Sequence, residues 1–267
     1  MSEDVVVPAE WLADRLDDDG VVVVDVRDPW EYEGIGHVPG AVNVPFDRFR
    51  SEAGDEGMLP GADVWRDLME EAGIAPGDTL VAYDDTHGVF AARFLVTAEL
   101  YGHADRRLLD GDFSAWTRSH RTETAAPGRP RTTYEPTRPD GSPLVGYETV
   151  LAAVEAVEAG DEGIVIVDTR EEWEYEEGHL PGAVRLDWRE LVDDESRGLR
   201  PRPEIERVLA DRGIDPDRRV VLYCNTARRI SHTYLVLRHL GYEDVAFYEG
   251  SLTEWEERDG PVERADG

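Results

Sequence analysis

The chain contains no lysine. Its 28 basic residues are all arginines, they face 59 acidic residues, and the formal net charge is -31. With no basic stripe to neutralise phosphates, the composition argues against nucleic acid as a partner. Cysteine is almost absent: Cys224 is the only one in 267 residues. A single thiol excludes an internal disulfide and any cysteine-rich metal site. The seven histidines show no ligand spacing of the HExxH kind. No cofactor and no metal is therefore expected. Long apolar runs are also missing, none approaching the ~18 residues of a membrane helix. The N-terminus lacks a basic region followed by an apolar stretch. The expectation is a cytoplasmic protein without membrane contact.

The acidity is dispersed along the chain rather than held in one tail, so disorder explains it poorly. It resembles the composition of proteins from extreme halophiles, where spread carboxylates keep chains soluble in concentrated salt. At 1 M salt the Debye length is ~3 Å, so self-repulsion is largely screened.

What the chain does have is a repeat of itself. Val21-Val22-Val23-Val24-Asp25-Val26-Arg27 with Trp30-Glu31-Tyr32-Glu33 and Gly36-His37-Val38-Pro39-Gly40-Ala41 stands near the N-terminus. Ile164-Val165-Ile166-Val167-Asp168-Thr169-Arg170 with Trp173-Glu174-Tyr175-Glu176 and Gly178-His179-Leu180-Pro181-Gly182-Ala183 answers it later. Leu80-Val81-Ala82-Tyr83 parallels Val221-Leu222-Tyr223, and the segment at Trp116 parallels that at Trp255. The reading is a duplicated domain of about 120 residues, the common domain size. Residues 1–120 and 144–267 form the two copies, and the Pro-, Thr- and Gly-rich stretch 121–143 forms the linker. Short apolar strands alternate with helical patterns in each copy. The fold class is therefore α/β, each domain a parallel sheet with helices on both faces.

Cys224 follows the apolar run Val220–Tyr223, read as a buried strand. It precedes a helical pattern of Ile230, Tyr234, Leu237 and Leu240 ended by Gly241. At such a junction the unpaired N–H groups of the helix start, its dipole, and Arg228 and Arg229 all favour thiolate over thiol. His37, His179, Asp25 and Asp168 occur in both copies, including the copy without a thiol; the histidines read as turn-fixing residues and the aspartates as capping or pairing locally. Trp116 and Trp255 read as core anchors, and His232 as a packed or solvated histidine rather than a base.

Both halves resemble the rhodanese homology domain, and the whole chain resembles a tandem-domain thiosulfate sulfurtransferase. The resemblance rests on Asp-x-Arg with Gly-His-x-Pro-Gly-Ala downstream, on the Tyr-Cys-x-x-x-x-Arg loop Cys224–Arg229, and on the Gly-x-x-x-x-Trp segments. It implies that Cys224 carries one sulfur atom as a persulfide, taken from thiosulfate and passed to cyanide or a thiol. It implies further that the loop N–H groups of Asn225, Thr226, Ala227, Arg228 and Arg229 stabilise the charged sulfur. Arg228 is expected at the pocket mouth, Arg229 as a brace of the loop, and Arg170 as an ordering salt bridge at the pocket wall. Asp84 stands at the position of Cys224 in the first copy, which is expected to be catalytically inactive. The protein is expected to be a monomer.

Other readings share these residues. In mercaptopyruvate sulfurtransferases the loop tends to read Cys-Gly-Ser-Gly, with a second arginine near Arg170. Here the loop is Cys-Asn-Thr-Ala, and Glu174 stands about where that arginine would be. Asp47 cuts the other way, since with Thr226 and Cys224 it could form a proton relay. Phosphatases of related fold need one more residue between cysteine and arginine. A binding module would not need Cys224 and Arg229 in the same half. A persulfide carrier that feeds a biosynthetic pathway shares the first half-reaction.

Overall fold

The computed structural model describes residues 5–50 and 58–264. These form two compact units. The first runs to Ser142 and takes in Asp194–Gly198; the second comprises Pro143–Asp193 and the chain from Leu199 onward.

The first unit contains β1 (Val6–Val7), α1 (Ala9–Ala13), β2 (Val21–Asp25), α2 (Pro29–Gly34), β3 (Val42–Asn43), a 3-10 turn at Phe46–Phe49, α3 (Ala62–Glu71), β4 (Thr79–Tyr83), α4 (Val89–Leu100), β5 (Arg106–Leu109) and α5 (Phe113–Trp116). The second contains β6 (Leu144–Val145), α6 (Tyr147–Glu158), β7 (Ile164–Asp168), α7 (Glu172–Glu177), β8 (Val184–Arg185), a 3-10 turn at Trp188–Leu191, α8 (Arg202–Ala210), β9 (Arg219–Tyr223), α9 (Arg228–Leu240), β10 (Val245–Tyr248) and α10 (Ser251–Glu257). Their sheets run β1-β5-β4-β2-β3 and β6-β10-β9-β7-β8, with every pairing parallel.

Successive residues point to opposite faces of a strand. In β2, β4, β7 and β9 every residue after the first is buried. Both faces of each sheet are therefore covered, which is why these strands read as unbroken apolar runs. One face of the first sheet packs Val23, Val81 and Tyr83 against Leu12, Phe113 and Trp116. The second repeats this with Ile166, Val221 and Tyr223 against Val150, Leu252 and Trp255.

Helix α1 ends at Ala13 in a turn closed by Arg15 N–H to Leu12 O (2.9 Å). Helix α9 stops at Gly241, whose φ of +95° is the left-handed cap that glycine supplies without strain. The register sets up the site. Asp25 pairs with Tyr83 and Asp168 with Tyr223, so two segments leave each sheet side by side at the carboxyl ends of its strands. Among the described residues no helix is long and apolar enough to cross a membrane. Among the same residues no cluster of three or more His, Cys, Asp or Glu is placed to hold a metal ion.

Candidate active site

The duplicated motifs build the same knot twice. Arg170 Nε and Nη2 grip the Asp168 carboxylate at 2.6–3.0 Å, and Nη2 also donates to Gly178 O (2.6 Å). Arg27 does the same with Asp25 and with Gly36 O. Tyr32 and Tyr175 each donate their hydroxyl to the carbonyl of Ala41 or Ala183, both at 2.6 Å. The rings of His37 and His179 stack on those tyrosines at 3.8 and 3.7 Å. Both histidines therefore fix the turn before Pro-Gly-Ala, in the unit without a thiol as in the unit with one. The indoles of Trp116 and Trp255 are buried and tied to the carbonyls of Arg121 and Pro261.

Cys224 leaves the end of β9, the central strand of the second sheet, and is 1% exposed. Its N–H donates to Ser251 Oγ (3.1 Å), and its carbonyl accepts from Leu252 N–H (3.0 Å). Ser251 Oγ donates in turn to Tyr248 O (2.9 Å), so α10 holds the nucleophile's backbone from one side. The chain then curls through Ala227, whose φ of +65° is unusual for a residue with a Cβ, and enters α9 at Arg228. The first N–H groups of a helix have no carbonyl of their own and point at whatever lies before them.

From the other side the loop is held by α7. Glu174 is buried and accepts from both Nη atoms of Arg229, at 3.1 Å for the Nη2–Oε1 contact. It also accepts from Asn225 Nδ2 (2.7 Å) and from Glu171 N–H (3.0 Å). Arg170 Nη1 reaches Asn225 Oδ1 at 3.4 Å, and Thr253 Oγ1 donates to Asn225 O at 2.9 Å. Burial works to raise the Glu174 carboxyl, but Arg229 and the Glu171 N–H carry it below the usual carboxylate range. Burial likewise works against the Arg229 charge, and Glu174 together with the field of Cys224 outweighs it. A cavity of about 470 Å³ opens here, lined by Arg170, Trp173, Glu174, Asn225, Leu252 and Glu256 among others.

The first unit fills the matching loop differently. The Asp84 carboxylate is buried and accepts four backbone N–H groups: Thr86 (2.7 Å), Gly88 (2.8 Å), Phe90 (2.7 Å) and Ala91 (3.0 Å). Burial pushes the Asp84 carboxyl up and the four N–H bonds pull it down, with burial ahead. The loop at the end of the central strand is thus a cradle for negative charge.

Within the second unit the structure brings Cys224, Asn225, Arg229 and Arg170 to one place, with Thr226 exposed and Arg228 half-buried on the same loop. Asp47 belongs to the first unit, exposed on the Phe46–Phe49 turn with Arg50 at 2.8 Å. His232 is fully buried with its ring edge-on to Trp188 (5.2 Å). The sequence reading missed Glu174 as the partner of Arg229. One signal was present: Glu171 and Glu174 have capping-box spacing.

The rhodanese-like domain model matches residues 8–119 and 152–258. A thiosulfate sulfurtransferase of Pseudomonas aeruginosa is 34% identical over 97% of this chain and 96% of its own. One of Corynebacterium glutamicum is 32% identical over 94% of this chain and 87% of its own. The solved structure of the 3-mercaptopyruvate sulfotransferase SseA from Escherichia coli superposes with a TM-score of 0.82 at 24% identity. It covers 93% of this chain and 99% of that one. At that identity the likeness bears on the fold alone.

Proposed function

The chain belongs to the rhodanese-like domain family, and on that premise we propose that it is a thiosulfate sulfurtransferase carrying its sulfur on Cys224. The Cys224 thiolate attacks the outer sulfur of thiosulfate. The sulfur–sulfur bond of thiosulfate breaks, sulfite leaves with the bonding pair, and Cys–S–S⁻ remains. A nucleophilic acceptor, cyanide or a thiol, attacks the terminal sulfur and returns the thiolate. The N–H groups from Asn225 to Arg229 hold the persulfide charge. Arg228 meets the dianion at the pocket mouth, while Arg170 and Arg229 keep the wall in place.

The observation that carries this reading is the anion already seated in the sister loop, where four backbone N–H groups converge on Asp84. The loop after Cys224 is one residue shorter, but it too runs straight into a helix start, whose N–H groups suit a sulfur bearing negative charge. The first unit, with a carboxylate where the thiol would be, is catalytically silent. The protein acts as a monomer in a salt-rich cytoplasm.

A net charge of -31 repels a dianion at long range, so local positive charge must win at the pocket. Raising salt from low to molar is expected to increase activity, because screening acts most on exposed, distant charges. Arg228→Ala is expected to raise the KM for thiosulfate about tenfold at every salt level, the loss of one charge-assisted contact of ~1.5 kcal/mol. KM and kcat for both proteins across a salt series, with circular dichroism alongside, check this. An unchanged KM in Arg228→Ala removes Arg228 from the site. Activity that falls with salt while the fold holds contradicts the halophilic reading.

A further inference from the structure

The two units serve as an internal control for what the thiol needs. Each has the aspartate–arginine fork at its strand end, and each has a capping box on the helix that follows. Glu31 accepts from Asp28 N–H (3.1 Å) in the first unit, as Glu174 accepts from Glu171 N–H in the second. The capping role is therefore common to both copies and needs no thiol.

The likeness stops at the next contacts. Glu174 goes on to Asn225 and to both Nη atoms of Arg229, and Arg170 Nη1 closes on Asn225. In the first unit Asp85, at the position of Asn225, instead accepts from Ser114 N–H (2.9 Å) and Ser114 Oγ (3.1 Å). Phe90 stands at the first turn of α4, where α9 has Arg229. Among the described residues Arg27 Nη1 has no hydrogen-bond partner, although its counterpart Nη1 on Arg170 has one. The run Asp168–Arg170–Asn225–Glu174–Arg229 is continuous only in the unit that holds the cysteine.

We infer that Glu174 is a positioning residue for Cys224: it fixes the Arg229 guanidinium against the loop and, by partly neutralising it, sets how readily the thiol ionises. The inference rests on Cys224 as the sulfur carrier. Arg229 is the link, since it lies in the field of Cys224 and is bound at two points by Glu174. The other charged groups around the loop are Asp168 and Arg170 from the end of β7, Glu171 and Glu177 beside α7, Arg228 on α9, and Glu249 and Glu256 from the β10–α10 side. Of these carboxylates, Glu171 also contributes to the Arg229 field, behind Glu174. A fully neutralised Arg229 would leave the thiolate to the helix start and Arg228 alone. A wholly unpaired one would favour thiolate more strongly but make it a weaker nucleophile, because nucleophilicity falls with basicity.

The test is the rate of Cys224 alkylation by iodoacetamide against pH, which reads the thiol directly whether or not the protein transfers sulfur. Glu174→Gln keeps the capping-box acceptor and the shape while removing the charge. Its alkylation midpoint is expected to move to lower pH by on the order of one unit. Its plateau rate is expected to fall about threefold, following a Brønsted slope of ~0.4–0.5. Glu174→Asp keeps the charge and is expected to stay within a few tenths of a unit of the parent even where its stability drops. Glu172→Gln, an equal charge change at an exposed position of the same helix, is expected to leave the midpoint in place. A Glu174→Gln midpoint equal to or above the parent's overturns the inference. So does a Glu174→Asp midpoint displaced as far as that of Glu174→Gln, which would mark a structural effect.

Discussion

Cys224→Ser is expected to reduce thiosulfate:cyanide transfer to the uncatalysed rate while the fold holds. Oxygen at this position forms no persulfide, and the chain has no second cysteine to substitute. The backbone contacts that place the residue run through its N–H to Ser251 and its carbonyl to Leu252, so they survive the change. The side chain is small and buried, and serine fits the same volume at modest cost. Steady-state transfer and thermal unfolding of parent and variant make the comparison. Activity retained above a trace in a folded Cys224→Ser would remove Cys224 from the chemistry.

Asp84→Ala is expected to act on stability instead. It strips four N–H groups of their acceptor; those of Gly88 and Ala91 are buried, each worth ~1–3 kcal/mol when left unsatisfied, and those of Thr86 and Phe90 are partly open to water. Part of that loss is returned because a desolvated carboxylate disappears with it. The net destabilisation should be on the order of 2–4 kcal/mol. Turnover per folded molecule should stay within a few-fold of the parent, because Asp84 has no sulfur to carry. Urea unfolding gives the first quantity, and kcat at low urea the second. A loss of kcat comparable to that of Cys224→Ser, in protein that remains folded, would make the first unit catalytic.

The contrast between these two residues explains what the sequence could and could not reveal. The pairing of Asp84 with Cys224 was legible because each directly follows a short apolar strand that ends in tyrosine, Tyr83 or Tyr223. That Asp84 faces four N–H groups was not legible. It depends on left-handed backbone at His87 and Gly88, which no side-chain pattern announces. The duplicated His37 and His179 were readable as turn-fixing residues from their presence in both halves. The Glu174–Arg229 pair was not, since it joins residues 55 apart that only the β7–β9 register brings together. Strands β1 and β6 span two residues each and exist only through pairing with β5 and β10, too short for any period. The segment Asp194–Gly198 packs with the first unit, where Arg197 forks onto Asp112 at 2.6–2.8 Å. Apolar patterning carries no trace of such a long-range charge contact.

The central claim is that one sulfur atom rests on Cys224 between donor and acceptor. Intact-mass spectrometry of the protein after incubation with thiosulfate, followed by peptide mapping without reductant, tests it most directly. The expected result is a gain of one sulfur atom on the peptide containing Cys224, lost again on addition of cyanide and absent from Cys224→Ser. No gain in the parent, or an equal gain in Cys224→Ser, would contradict it.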